Sequence, residues 1–357
     1  MCNADATTNP FSFSSFFCHN AFPKIQQDGE NASNTLRCYS TLAPFLNEIN
    51  VRKHYTGSPE FVEEIKASFK ASDKLALGSS QIIAFQKPDS TLEELFETTT
   101  QRWTLQWLTK CHSIIKDVAS ALQALHKSGF AHGHLDPAAL GCFSSGEINI
   151  WKLMELGHST KLGTTMSKDS FSGFYRLAPP ESITDAKKPA ESDASVVSSS
   201  DASVSSFRSS KPFRKRLSLS LTHKSRTTPH ARFVPESCLA SPAWDAWALG
   251  VIMAQAFVMN GSVLPGTGIT DKLVMDRLLK FDAVEVEKIT GEVRCVAGVF
   301  ASDLVGRLLD PNPETRLNSM SKVLRHRYFH EPVREIMKPK KASIFGKPTK
   351  VQEKGEF

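Results

Sequence analysis

The stretch Trp103–His126 constrains the fold more than any other. Trp103, Trp107, Leu108, Cys111, Ile114, Ile115, Val118, Leu122 and Leu125 recur at helical spacing and form one broad apolar face, and Lys127-Ser-Gly129 supplies the stop. A helix so apolar over that length demands a core wrapped around it. It leads into Ala131-His-Gly-His-Leu-Asp-Pro-Ala-Ala-Leu140, and beyond that Gly146-Glu-Ile-Asn-Ile-Trp-Lys152 alternates apolar and polar residues as a half-buried strand does. Long helix, short loop and strand are therefore the expected centre of the chain.

The loop resembles the catalytic loop of the protein kinase superfamily, His-Arg-Asp-Leu-x-x-x-Asn, often with Pro two residues before the Asn. In that pattern the Asp orients the substrate hydroxyl and the Asn binds a metal ion. His132, Leu135 and Pro137 agree with it, whereas the base position holds His134 and the metal-amide position holds Ala139. Asp136, where the family usually carries Lys, is the fallback base, and His134 titrates near neutral pH when unperturbed. Carried on to the metal-binding Asp of Asp-Phe-Gly, the register that needs no insertion sets Lys152 there, in Lys152-Leu-Met154. A shifted register uses Glu155-Leu-Gly157 instead, and only then is a carboxylate available to a metal.

Later segments continue the resemblance in the family's order. Two stretches compete for the Ala-Pro-Glu that closes the activation segment: Leu177-Ala-Pro-Pro-Glu181 and Phe233-Val-Pro-Glu236. Asp245-Ala-Trp-Ala-Leu-Gly250 resembles the family's buried Asp-x-Trp-x-Leu-Gly helix, whose Asp bonds the loop backbone and does no chemistry. Asp310-Pro-Asn-Pro-Glu-Thr-Arg316 resembles the turn whose Arg pairs with the Ala-Pro-Glu carboxylate, so Arg316 is expected to meet Glu181 or Glu236.

Toward the N-terminus the motifs thin out. No Gly-x-Gly-x-x-Gly occurs there. Phe17-Cys-His-Asn-Ala-Phe-Pro-Lys-Ile25 loosely resembles the strand carrying the nucleotide-contacting Lys, which would be Lys24, although a surface Lys accounts for it as simply. Leu42–Tyr55 has helical spacing, and Glu48 within it is either the partner of Lys24 or a solvated side chain. Leu75–Leu77 and Gln81–Phe85 read as strands about a Gly78-Ser-Ser turn, and Thr91–Phe96 as a short helix. The resemblance thus implies an α+β, bilobal protein-kinase-like fold. Residues 1–16 are a disordered or truncated start, 17–87 a small β-rich and incomplete N-lobe, 88–334 a large helical C-lobe, and 335–357 a basic tail. The Ser-rich stretch 185–232 has no apolar period and reads as a disordered insertion.

Bulk properties exclude little. A 357-residue chain with 40% apolar and 22% charged residues and a net charge of +6 is ordinary for a globular protein and does not by itself point to nucleic acid. The 7 cysteines show no Cys-x-x-Cys spacing, so neither zinc nor a disulfide framework is indicated. No apolar run is long enough to span a membrane, and Met1–Pro10 is not a signal peptide.

The His-Gly-His-Leu loop, Leu-Ala-Pro-Pro-Glu and Asp-Ala-Trp-Ala-Leu-Gly are most similar to coccidian rhoptry kinases and pseudokinases. That subfamily implies secretion, and hence a start upstream of Met1. With substitutions at the base, amide and metal positions and no glycine-rich loop, the expectation is a pseudokinase that works by binding a protein, an active kinase or a host factor. An unorthodox Ser/Thr kinase using Asp136 or His134 is the alternative. ATP, with or without Mg²⁺, is the one cofactor the resemblance suggests. A third reading has the basic insert and tail binding nucleic acid or anionic membrane.

Overall fold

A computed structural model describes residues 34–39, 41–70, 81–146, 148–166, 177–185, 231–233, 238–258 and 271–331. The strand expected at 17–25, the strand at 75–77 with its Gly78 turn, the interior of the Ser-rich stretch and the tail lie outside them. The described part mixes helices with small antiparallel sheets, in keeping with an α+β class. Among the described residues no helix is long and apolar enough to cross a membrane.

The N-terminal part is a three-stranded antiparallel sheet with one helix. Strand β1 (Asn34–Tyr39) pairs with β3 (Gln81–Gln86), and β2 (Ile65–Lys70) pairs with the other edge of β3. The central strand buries Ile82, Ile83, Ala84 and Phe85 in succession, as a strand covered on both faces does. Helix α1 (Leu42–His54) follows β1 and buries Phe45, Glu48 and Val51. A buried Glu in that company requires a partner, described below.

The helical part begins after β4 (Ser90–Thr91), where α2 (Leu92–Thr98) opens with a capping box: Glu94 N–H donates to Thr91 Oγ1 at 3.2 Å, and Thr91 N–H to Glu94 Oε2 at 2.9 Å. Helix α3 (Leu105–Lys127) buries the apolar face read from the sequence, apart from Trp103. Trp103 precedes the helix and is 53% exposed, because the Thr104 hydroxyl caps Trp107 N–H at 3.2 Å and starts the helix one residue later. The loop 131–140 then leads through β6 (Leu140–Ser145) into β7 (Ile148–Leu153), an antiparallel pair. Short strands β5 (Phe130–Ala131) and β8 (Thr160–Lys161) close a second ladder around the loop.

Beyond it, β9 (Ile183–Asp185) and β10 (Ala231–Phe233) pair antiparallel, so the ends of the Ser-rich stretch belong to a ladder and the boundaries 185 and 232 fall inside strands. Helix α4 (Pro242–Phe257) is buried nearly all round and is tied to α3 by Trp107 Nε1–H donating to Ala256 O at 2.8 Å. It is followed by α5 (Asp271–Leu279), α6 (Ala283–Leu308) with a break at Gly298, and α7 (Met320–Leu324). The α4–α6 crossing is close because residue 250 has no side chain: a Cβ there would stand 2.8 Å from Leu308 Cβ and 3.0 Å from Leu309 Cδ2. Gly250→Ala should therefore lower unfolding stability by about 1–3 kcal/mol through overpacking, against the usual helical gain from Ala. Urea denaturation of the full chain measures it, and a stabilised variant would refute the crossing.

Candidate functional site

The loop 131–140 is fixed from below by one carboxylate. Asp245 of α4 accepts hydrogen bonds from His132 N–H (2.7 Å) and Gly133 N–H (2.9 Å), and its Oδ2 also meets His126 Nε2 at 2.8 Å. Burial opposes the charge, but the His126 contact and the loop N–H groups outweigh it and hold the Asp245 carboxyl below its ordinary range. The His132 ring is buried and its Nε2 lies 3.1 Å from Met154 O, an N–H donation that ties the loop to the chain leaving β7. Met154 N–H donates in turn to Ala139 O at 2.9 Å. Gly133 sits at φ 72°, a left-handed turn open to glycine.

The positions read for chemistry have other surroundings. His134 is buried, with its ring 4.8 Å from that of His158; burial first, and then the neighbouring His158 and His132, hold its pKa well below the ordinary value. The ring is therefore neutral near pH 7. Asp136 is buried and caps the 3₁₀ turn Pro137–Ala139, accepting Ala139 N–H at 2.6 Å. Burial, reinforced by Glu155, pushes its carboxyl well above the usual range. Ala139 is itself buried and offers a methyl group.

Lys152 and Glu155 are clearly separated by the structure. Lys152 lies within β7, opposite Gly141, with Nζ 4.8 Å from the Phe143 ring centroid. Glu155 lies beyond the strand at φ 58°, a left-handed conformation uncommon for a residue with a side chain, and begins the 3₁₀ turn Leu156–His158. Its Oε1 is 3.8 Å from Arg37 Nε.

Arg316 is buried and grips Glu181 with both guanidinium nitrogens, Nη1 to Oε1 at 2.8 Å and Nη2 to Oε2 at 2.9 Å, and further donates to Ala243 O and Asp310 O. The bidentate fork suits Arg and would not suit Lys. Glu236, the other candidate, and Lys24 lie outside the described residues. Glu48 is fully buried and accepts Arg52 Nε–H at 2.8 Å, one helical turn away. Its pKa is lowered: burial works against the charge, and Arg52 and Arg37 overcome it.

Several residues of this region escaped the sequence reading. Arg37, in the middle of β1, reaches Glu63 Oε2 at 2.9 Å, and the faces of the buried Phe85 ring are near both guanidiniums, Arg37 at 4.4 Å and Arg52 at 4.8 Å from the centroid. Asn47 Nδ2 donates to Gly157 O (2.9 Å) and Ser159 O (2.7 Å), joining α1 to the turn after Glu155. An Arg flanked by Leu36 and Cys38, just before an amphipathic helix, was the available signal for Arg37. Nothing in the spacing marked Glu63 or Asn47. Among the described residues no group of three or more His, Cys, Asp or Glu side chains is arranged to hold a metal.

Comparison with known proteins adds a partial similarity. The chain is 33% identical over 92 residues to a probable serine/threonine-protein kinase of Dictyostelium discoideum, a stretch that is 25% of this chain and 15% of that protein. No protein-family model matches the chain. The similarity supports a kinase-like relationship and nothing narrower.

The Asp245 contacts generate a stability prediction. Asp245→Ala leaves two loop N–H groups and His126 without their acceptor and should cost about 3–5 kcal/mol. Because the folded Asp245 carboxyl lies below its ordinary 3.8, its contribution is present above that value and is lost as pH falls through the folded one. Urea titrations should show the deficit in full at pH 6 and shrinking in acid, and an equal deficit at every pH would contradict the ionised pairing.

Proposed function

We propose that the chain is a bilobal kinase-like pseudokinase, with residues 17–87 as the small lobe and 88–334 as the large one, acting by binding another protein. One observation carries this reading: the contacts that hold the loop are kept while the positions that would do chemistry are not. Asp245 holds the loop backbone and Arg316 holds Glu181, the two structural pairings that the family pattern calls for. In the same loop His134 is buried and neutral, Asp136 is spent on a turn, and Ala139 has no group for a metal.

The register that best fits this geometry takes Glu155-Leu-Gly157, not Lys152, for the segment after β7. β1, the strand just before α1, then takes the place first given to Lys24, with Arg37 as its basic residue. Phosphoryl transfer needs a cation on the phosphates, in protein kinases one that is ion-paired to a helix Glu, and metal ions bridging the phosphate oxygens. Arg37 is directed to Glu63 and Glu155, and with Ala139 at the metal-amide position and Asp136 engaged by Ala139 N–H, Glu155 is the single carboxylate this register offers, a poor fit to a metal–nucleotide complex. No step through ATP follows from them. The partner we favour is an active kinase or a host factor, with secretion following if the rhoptry-like resemblance holds.

The competing reading, an unorthodox Ser/Thr kinase, draws on the named similarity to a probable serine/threonine-protein kinase. A thermal-shift titration of the full chain with ATP, with and without Mg²⁺, separates the two. No shift in either condition, together with no incorporation of labelled phosphate into protein, is the expected result. A Mg²⁺-dependent shift with phosphorylation abolished by Asp136→Ala would establish the enzyme.

A further inference from the structure

Five charged side chains meet between β3, α1 and the turn after β7: Arg37, Glu48, Arg52, Glu63 and Glu155. Glu63 is brought there because Val62 bridges Leu153 and Glu63 N–H donates to Leu153 O at 3.1 Å. Arg52 lies 3.6 Å from Glu63 Oε2 and also donates through Nη1 to Glu63 O. Two guanidiniums thus face three carboxylates. Lys152 of β7 acts on Glu63 from farther away, and the Tyr39 hydroxyl of β1, pushed up by burial, adds no charge near neutral pH.

Buried charge that is not cancelled is expensive, and a carboxylate in that position is relieved by a proton. The three carboxylates are not equivalent. Glu48 accepts Arg52 Nε–H through Oε1, although its Oε2 has no aligned hydrogen bond among the described residues, and Glu155 is 26% exposed to water. The Glu63 side chain is 0% exposed, and neither oxygen has an aligned hydrogen bond among the described residues, although Arg37 Nη2 stands 2.9 Å away. Burial pushes its carboxyl up to about 7, against the pull of Arg37 and Arg52.

The surroundings give that proton a mechanical role. Glu48 and Glu155, which a third charge would repel, stand on the two sides of the contact between α1 and the turn Leu156–His158. Asn47 bridges that contact, and it is tight: a Cβ on Gly157 would lie 3.1 Å from Pro44 O and 3.2 Å from Glu48 Oε2. We propose that Glu63 carries a proton whose loss drives α1 away from the Leu156–His158 turn, making this cluster a pH-sensitive latch between the N-terminal sheet and the loop region. The latch rests on the cluster alone and stands whether or not the chain transfers phosphate.

For a carboxyl raised on folding, the stabilising contribution is present below the unfolded value and is lost as pH rises to about 7. His132, His134 and His158 are lowered by burial and slope the opposite way, so the wild-type curve alone is not diagnostic. Glu63→Gln keeps the neutral form at every pH. The thermal midpoint of this variant minus that of the wild type should grow by about 5 °C between pH 5.5 and 8; a difference constant within about 1 °C overturns the proton. The same pair should differ in amide exchange, corrected for its intrinsic pH dependence. In the wild type, residues 156–159 should open about tenfold more at pH 8 than at pH 6, while Glu63→Gln should not change; equal behaviour overturns the latch. If the variant does not fold, carboxyl-¹³C glutamate NMR on the wild-type chain decides. A resonance titrating between pH 6 and 8 supports the proton, and every glutamate titrating below about pH 5.5 removes it.

Discussion

The arrangement around Asp245 is the constraint on which the rest depends. One carboxylate, inaccessible to water, takes the backbone of the loop at 132–133, the end of α3 through His126, and its own helix α4 into a single hydrogen-bonded joint. A buried charge of this kind is tolerated only where several donors converge, so the joint cannot be loosened piecemeal. The apolar surroundings enforce the same point. Ala131, Leu135 and Leu140 anchor the loop in the core that Trp247 and Leu249 of α4 line. The loop is therefore as much a part of the core as the helices are.

Much of this was legible in the sequence. The helical periodicity of α3, the Asp-x-Trp-x-Leu-Gly run and the Asp-Pro-Asn-Pro-x-x-Arg turn are local patterns, and each marks an element whose residues are contiguous in the chain. The meeting of Arg316 with Glu181 was open between two candidates because a pairing across that separation depends on which strand-like stretch the chain folds back on. Spacing carries no such information. The left-handed backbone at Glu155 was not readable, and the alternation that identifies β7 left open whether Lys152 or Glu155 holds the family's metal position.

The N-terminal part was harder to read for a physical reason. Its charges serve one another across elements, Arg37 from β1, Glu48 and Arg52 from α1 and Glu63 from the connection to β2. In sequence each resembles a surface residue on a strand or helix, and only the fold reveals that they share the buried ring of Phe85. Amphipathic reading misassigns such clusters systematically, since it takes charge as a sign of solvent. Glu48 was singled out only through the family resemblance, as a partner for Lys24, and its partner among the described residues is Arg52.

The β9–β10 pair bears on how the chain tolerates its Ser-rich stretch. These strands bring residues 185 and 231 opposite each other, just after Glu181 is clamped by Arg316 and a little before the chain re-enters the core at Ala240. The stretch between them therefore leaves and returns at one doorway. Closing a longer excursion from a fixed doorway costs only a logarithmic increment of entropy. Because the β9–β10 ladder holds residues 185 and 231 opposite each other, the two ends of the stretch are fixed beside the Glu181–Arg316 clamp whatever their separation along the chain.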